Sequence, residues 1–399
     1  MVTTYGLLSF EDCEFTLRPE IAGYHIGGDG RRYCSVLLSE IPLDKVFGFG
    51  KFELAPLPRK SYDPFRPYPL ALNLPESFDF LSAPLVAEAV AALVSFCLRR
   101  RVRAYRRPFS EPVRDELQLS PDVFGYLPCT SVGPEGLLQQ PLTPDEQSKR
   151  MTMLGALYEV VVRMERDDYL ATIRAMHLYQ LALLTLREDV GLAYTLLVAS
   201  VETMAQRFVG KEDAPAEEFL KSSGWLSLIA REGVEKETAA KICKRVLDRE
   251  QFLSFRFRRF VEQNLHDSFW KSPDSRAKEL DDYIEGLRKE HFGENYIEEH
   301  QDHFSRWWWL YKPDTRVSKT ELDDVLRDIY DLRSQFAHVG ISPPRDVVDM
   351  FETARTKVLI SDPRHRIEFV RSPPSFFWFE RVANESISSF MLAYKPSRH

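Results

Sequence analysis

The spacing of apolar residues changes near residue 143 of the chain. From there to the C-terminus, apolar residues recur every three or four positions over long windows with few glycines or prolines, which is typical of packed helices. The pattern predicts helices at about 145–166, 168–187, 189–209, 236–264, 274–291, 296–311, 318–338, 344–360 and 376–394. We therefore predict an all-helical domain over residues 146–399.

The N-terminal part of the chain has a different pattern. Of the 25 prolines, 16 fall within residues 1–150. Short β-like runs and turn residues surround one helical pattern, and the clearest segments are the run 32–38, the glycine turn 27–30, the proline-broken stretch 56–75 and the helix near 84–103. We predict a small α+β domain over residues 1–145. Because the helical part that follows is longer, we predict that the whole chain is mainly α.

The composition is that of an ordinary globular protein, with 399 residues of which 44% are hydrophobic and 28% are charged. No apolar run reaches the roughly 20 residues that a bilayer requires, since the best candidate, Pro84 to Leu98, contains Glu88. The segment Met1 to Tyr5 lacks the basic and apolar regions of a secretion signal. We therefore expect no membrane partner and a cytoplasmic location.

Cysteine spacing and net charge restrict the disulfides, metal sites and nucleic-acid contacts that the chain can have. The five cysteines lie far apart with no C-x-x-C pair, which excludes a disulfide scaffold and a zinc site built from cysteines. His300 and His303 with Glu298 and Glu299 come closest to a metal-ligand cluster, but a solvated helix face is the better explanation, and no metal site is predicted. The net charge of -7 means that a polynucleotide would have to be held by a local basic patch.

The predicted helix that starts at Ser318 carries an arginine on its apolar face. Its first residues, Ser318 to Glu321, fit a capping box, and an apolar stripe follows that comprises Leu322, Val325, Leu326, Ile329 and Phe336. Arg333 follows Leu322 by eleven positions and therefore returns to within about 20° of it. A guanidinium aimed at the core is costly unless it meets an anion, which is either a carboxylate of the protein or a phosphate of a ligand.

The segment from Val190 to Gln206 contains a matching carboxylate. It is apolar or small almost all round, which indicates a buried helix, and Glu202 is its one charge. Pairing of Glu202 with Arg333 is the simplest way to satisfy both groups. The pair is either a buried ion pair that ties two helices together or part of a functional site.

His338 follows Arg333 by five positions, just before Gly340 ends the helix. In a regular helix the two side chains stand about 140° apart, so one site contains both only if the last turn loosens or a second subunit completes it. The alternative is that His338 has no role in a site and only stabilises the helix C-terminus by its positive charge.

Residues 328–338 resemble the signature of HEPN domains, and in particular of the ApeA-like branch, in which an R-x(4–6)-H motif has a polar residue after the arginine. Ser334 occupies the polar position. Residues 198–204, with Glu202, and residues 377–382 also resemble that branch. The resemblance spans Val190 to Leu392, about half of the chain, and does not extend to the first 150 residues.

The resemblance implies a metal-independent endoribonuclease of a defence or toxin-type system, with no cofactor and with RNA as its partner. It implies a homodimer or higher oligomer in which both motifs face one cleft, and an invader-derived or system-encoded trigger. The implied catalytic residues are Arg333, His338, Glu202 and Ser334. Histidine can transfer protons near neutral pH and arginine can bind phosphate. The alternative is a non-catalytic HEPN-like module for dimerisation or sensing, in which the Arg333–Glu202 pair is structural.

Two basic stretches with interleaved aromatic residues are candidate RNA-binding segments. The first has six arginines in residues 99–107 and the second spans 255–260. The predicted RNA-binding residues are Arg99, Arg100, Arg101, Arg103, Arg256, Arg258 and Arg259. A cationic helix end and an amphipathic core helix are the respective alternatives. The aromatic clusters at 306–311 and 376–379 are predicted to form packing or dimer contacts.

Overall fold

The computed structural model describes residues 33–58, 67–76, 82–105, 142–186, 188–211, 216–249, 252–271, 317–339 and 376–395, together with residues 17, 78, 108, 109, 113, 119, 123 and 127. The strands in these ranges are β1 (Cys34–Ser39), β2 (Phe47–Phe49), β3 (Phe52–Pro56), β4 (Tyr68–Asn73) and β5 (Val102–Ala104). The α-helices are α1 (Ala83–Leu98), α2 (Pro144–Val161), α3 (Arg166–Thr185), α4 (Val190–Phe208), α5 (Ala216–Ser222), α6 (Trp225–Arg231), α7 (Lys236–Arg249), α8 (Leu253–Asn264), α9 (Asp267–Lys271), α10 (Leu322–Val339) and α11 (Phe376–Ala393).

The N-terminal strands form an antiparallel sheet in the order β2-β3-β4-β1-β5. Successive side chains of β1 point to opposite faces, and all six residues of this strand are buried. Leu37 belongs to the main hydrophobic core, whereas Val36 and Leu38 belong to a smaller cluster on the other face. The sheet is therefore covered on both faces.

Helix α11 lies in the helical core, and its residues Phe376–Asn384 are all buried. Helix α11 contacts α2, α4 and α8, and α1 packs against α2 and α3. The main core includes Leu37 and Leu93 from before the predicted domain boundary and Leu157 and Phe379 from after it. The described chain is mainly helical with a small antiparallel sheet, which confirms the mainly α class. The boundary at residue 145 stays a prediction.

Three predicted elements differ from the structure. The helix predicted near 84–103 ends at Leu98, because Arg99 adopts a left-handed conformation with φ 55° and the chain then turns into β5. The helix predicted over 236–264 is divided into α7 and α8, because Phe252 has φ 51°, through which an α-helix does not continue. The proline-broken stretch 56–75 contains β4.

The helices α5, α6 and α9 were not predicted. The predicted helices at 274–291, 296–311 and 344–360 lie outside the described residues, as does the glycine turn 27–30. The aromatic cluster at 376–379 is part of the core, which confirms its predicted packing role, and the cluster at 306–311 lies outside the described residues. None of the helices in the described ranges combines the length and apolar character needed to cross a bilayer.

Candidate active site

Helix α4 places Glu202 inside the helical bundle. The helix begins at the N-cap residue Asp189, whose carboxylate accepts a hydrogen bond from the Leu192 N–H at 2.8 Å. Its apolar surface packs against α3, α8, α10 and α11. As a result the Glu202 side chain is only 5% exposed. A carboxylate at this depth needs a charged or hydrogen-bonding partner.

Helix α10 brings Arg333 to that carboxylate. The predicted capping box is formed by Ser318 and Glu321, and a 3-10 turn, Lys319–Glu321, leads into the helix. Of the predicted apolar stripe, Leu322, Leu326 and Ile329 are buried. Arg333 Nη2 lies 3.0 Å from Glu202 Oε2, so the pairing predicted from the sequence is confirmed as a contact.

The second oxygen of Glu202 has a different partner, which the sequence analysis missed. Gln206 Nε2 donates a hydrogen bond to Glu202 Oε1 at 3.1 Å. The two residues are four positions apart on α4, and side chains at this spacing are neighbours on a helix surface. This spacing was the signal that could have identified Gln206. The carboxylate is therefore contacted by an amide as well as by a guanidinium.

A second buried arginine–glutamate pair provides a comparison within the same chain. Arg99 donates from Nε to both carboxylate oxygens of Glu380, at 3.0 and 3.1 Å, and from Nη2 to Oε2. The Tyr179 hydroxyl donates to the same carboxylate. The side chains of Arg99 and Glu380 are 5% and 0% exposed. By contrast, the side chain of Arg333 is 23% exposed.

An aromatic ring also borders the Arg333 guanidinium. Arg333 Cζ lies 6.0 Å from the centroid of the Tyr330 ring, at the outer limit of a cation–π contact. The Tyr330 ring in turn packs against Phe257 of α8, with 5.6 Å between the ring centroids. Arg333 is therefore located between the buried carboxylate and an aromatic layer of the core.

The backbone of α10 bears on the predicted role of His338. The helix is α-helical as far as Val339, so the loosened last turn that would bring His338 beside Arg333 is not seen. A regular helix sets these two positions about 140° apart. The side chain of His338 lies outside the described residues, and Ser334, directly after Arg333, is half-buried. Completion of the site by a second subunit stays a prediction.

The first predicted RNA-binding stretch is largely buried, which corrects the prediction for Arg99, Arg100 and Arg101. Arg99 is paired with Glu380, and Arg101 donates from Nε to Glu40 at 2.7 Å. Arg100 is 1% exposed and donates to the Arg99 carbonyl at 3.3 Å. The left-handed turn at Arg99 directs this part of the chain inward, so these guanidinium groups are not accessible to RNA.

Arg256 of the second stretch is engaged at the end of α4. Its Nε donates to the Val209 carbonyl at 2.7 Å, and its Nη2 donates to the Gln206 carbonyl. These are orphan carbonyls of the last helical turn, which a guanidinium can satisfy. Arg256 therefore has a structural contact where RNA binding was predicted.

The remaining predicted RNA-binding residues are more accessible. Arg258 is paired with Asp323 of α10, and Arg259 lies 4.0 Å from Glu262 with half of its side chain exposed. Arg103 is half-buried in β5. Burial raises the pKa of Glu262, and the neighbouring Asp323 adds to that shift. Arg103, Arg258 and Arg259 as RNA-binding residues stay predictions.

No group of three or more histidine, cysteine, aspartate or glutamate side chains within the described ranges is arranged to hold a metal ion. The cluster of His300, His303, Glu298 and Glu299 lies outside those ranges. Comparison of the chain with protein-family models, with curated proteins and with solved structures finds no match.

Proposed function

We propose that the chain is an endoribonuclease that cuts RNA through Arg333 and His338, with Glu202 orienting the arginine. The proposal combines the resemblance of residues 328–338 to the HEPN signature with one observation. Arg333 is 23% exposed beside its carboxylate, whereas Arg99 is only 5% exposed beside Glu380. A guanidinium has five N–H donors in a planar fork, and this partly exposed group is suited to bind phosphate oxygens.

The proposed reaction is internal transfer at a phosphodiester. A histidine accepts the proton of the ribose 2′-hydroxyl, the 2′-oxygen bonds to phosphorus, and the bond from phosphorus to the 5′-oxygen breaks. The leaving 5′-oxygen takes up a proton, and the products are a 2′,3′-cyclic phosphate and a 5′-hydroxyl. Arg333 stabilises the negative charge that develops on the phosphorus oxygens. The resemblance implies that this chemistry proceeds without a metal ion.

We further propose that two copies of the chain form one cleft. Because Arg333 and His338 point in different directions from a regular helix, the arginine of one copy and the histidine of another would complete a site. Two histidines in one cleft would also provide both the base and the acid. From the resemblance alone, we propose a cytoplasmic role in antiviral defence or as a toxin, controlled by an invader-derived or system-encoded trigger.

The test is RNA cleavage by the purified full chain in the presence of EDTA. We expect the wild type to cut, and Arg333→Ala and His338→Ala to lose cleavage. Arg327→Ala is the matched control for the loss of a cation from α10, since Arg327 is half-exposed and pairs with Asp323 at 2.9 Å. An Arg333 or His338 variant that cuts RNA at the wild-type rate with wild-type stability would mean that the site is assigned wrongly.

The alternative is a non-catalytic module for dimerisation or sensing. One observation favours it: Arg99, Arg100 and Arg101 are buried, which removes the largest predicted RNA-binding patch. In this case the Arg333–Glu202 pair only ties α4 to α10. A wild-type chain that dimerises but leaves RNA intact under all conditions tested would support the alternative.

A further inference from the structure

We infer that helices α6 and α7 form a binding surface for single-stranded RNA. The inference rests on the proposed function, because a nuclease whose net charge is -7 needs a local basic patch to hold its substrate. The arginine run that begins at Arg99 does not provide this patch, since its first three guanidinium groups are buried. Helix α7 contains five basic and two acidic residues, so its net charge of +3 is opposite to that of the whole chain.

The basic side chains of α7 are accessible. Four of them are exposed within ten residues, namely Lys236, Lys241, Lys244 and Arg245. Lys241 pairs with Glu237 at 2.7 Å, and both side chains of this pair are at least 71% exposed. Lys236, Lys244 and Arg245 form no ion pair with a carboxylate of the described ranges. These three cations can therefore meet an external anion without giving up a partner in that part of the chain.

The apolar side of α7 is partly covered, which distinguishes it from a helix that inserts into lipid. Ile242 and Val246 are four positions apart on one side of the helix, and both are partly buried. A helix that binds a bilayer turns such residues outward into the lipid. Helix α7 instead presents its cations to the solvent, and this arrangement suits the phosphates of a polynucleotide.

An exposed aromatic ring lies close to these cations. Trp225 is the first residue of α6 and is 37% exposed. After α6 the chain turns at Gly233, which has φ 62°, and the Val234 N–H donates to the Ile229 carbonyl at 3.4 Å. Because the seven residues of α6 span only about 10 Å, the indole stays near the first cations of α7. Exposed rings that stack on bases, next to cations that contact phosphates, are typical of proteins that bind single strands.

The experiment measures binding of the full chain to a single-stranded 2′-O-methyl RNA oligonucleotide by fluorescence anisotropy over a range of salt concentrations. The methyl group blocks the proposed reaction, so binding is measured whether or not the chain cuts RNA. The α7 variant combines Lys244→Gln with Arg245→Gln. The matched control combines Lys149→Gln with Arg163→Gln and removes two exposed cations from α2 and the turn after it. Glutamine is about as good a helix former as lysine and arginine, so the helices should persist.

Each phosphate contact to a single strand contributes about 0.7 to the slope of log affinity against log salt concentration. For the α7 variant we therefore expect a slope that is shallower by about 1.4 and binding that is about 25-fold weaker at about 0.1 M salt. The control should keep the wild-type slope. Trp225→Ala should bind about tenfold more weakly with an unchanged slope, and Trp225→Phe, which keeps a ring, should bind like the wild type.

Equal salt slopes of the α7 variant and the control would overturn the inference. So would a wild-type chain that does not bind the oligonucleotide, or weaker binding that only follows a fall in melting temperature. The inference also fails if the α7 variant keeps its affinity for RNA but loses binding to phosphatidylglycerol vesicles or self-association, because the surface then serves another partner. If the wild type binds the oligonucleotide through α7 but cuts no RNA, the inference is supported and the proposed nuclease activity fails.

Discussion

Replacement of Glu202 by glutamine is expected to affect cleavage more than folding. Glutamine keeps the shape of the side chain and one acceptor, but it removes the charge that faces Arg333 at 3.0 Å. Removing one partner of a largely buried polar contact costs about 1–3 kcal/mol. Because Arg333 is 23% exposed, water can solvate the guanidinium in the variant, and we expect the lower half of this range.

The matched variant is Glu380→Gln, which changes the fully buried pair. Arg99 makes its contacts to Glu380 at 5% exposure, so water cannot replace the lost charge. Breaking a buried pair by removing one partner costs about 3–5 kcal/mol, because an uncompensated charge stays buried. The two substitutions are chemically identical, and only the surroundings of the two arginines differ.

The assay pairs urea unfolding with the rate of RNA cleavage under single-turnover conditions. For Glu202→Gln we expect the free energy of unfolding to fall by about 1–2 kcal/mol and cleavage to fall by at least about tenfold. For Glu380→Gln we expect the larger loss of stability, with cleavage that follows the folded fraction. If the two variants lose stability and cleavage to the same extent, Arg333 has the same structural role as Arg99, and the reasoning is refuted.

A double-mutant cycle checks the contact itself. Glu202→Gln and Arg333→Ala should show a coupling of about 0.5–3 kcal/mol, since residues in contact are not independent. Glu202→Gln and Arg327→Ala form the control pair, because Arg327 pairs with Asp323 on the exposed side of α10. Additive effects at positions 202 and 333 would contradict the contact and remove Glu202 from the site.

Three other outcomes are expected. RNA products should carry 2′,3′-cyclic phosphates, because a histidine such as His338 can activate the 2′-hydroxyl, and mass spectrometry that finds only 5′-phosphate ends would exclude this route. Burial lowers the pKa of His177 from 6.5 to about 4, so the unfolded chain binds more protons between these values. The free energy of unfolding should therefore fall as the pH drops from about 6.5 to about 4, and His177→Gln should lack this part of the fall, whereas parallel pH profiles would contradict the assignment. The fragment 146–399 should not fold alone, since it leaves Glu380 without Arg99, and a cooperative melting transition of that fragment at the wild-type temperature would show the opposite.

The contact between α4 and α10 could be predicted from the sequence because both charges break a simple pattern. Glu202 is the one charge in an apolar segment, and Arg333 lies in the middle of an apolar stripe. A buried charge is costly unless an opposite charge pairs with it. The two residues could therefore be matched from the sequence alone. The capping box at Ser318 was predictable for a similar reason, since it depends only on local spacing.

The arginine run at residues 99–107 shows where sequence patterns fail. Six arginines in nine residues indicate a solvated cationic segment, yet the first three are buried. Their direction depends on the left-handed conformation of Arg99, which no glycine marks, and on Glu380, which is 281 residues away. Neither feature leaves a local signal. The break before α8 was missed for the same reason, since Phe252 has a positive φ without being a glycine.

The Arg99–Glu380 pair can form only after nearly the whole chain has been translated. The 281 residues that follow Arg99, up to and including Glu380, take a ribosome about 14–56 s to synthesise at about 5–20 residues per second. During this time Arg99 lacks its carboxylate partner, and the Phe96 carbonyl of α1 lacks the Asn384 amide that donates to it. Such long-range contacts form slowly and leave the nascent chain prone to aggregation. Bound chaperones should therefore protect the N-terminal segment until α11 has left the ribosome.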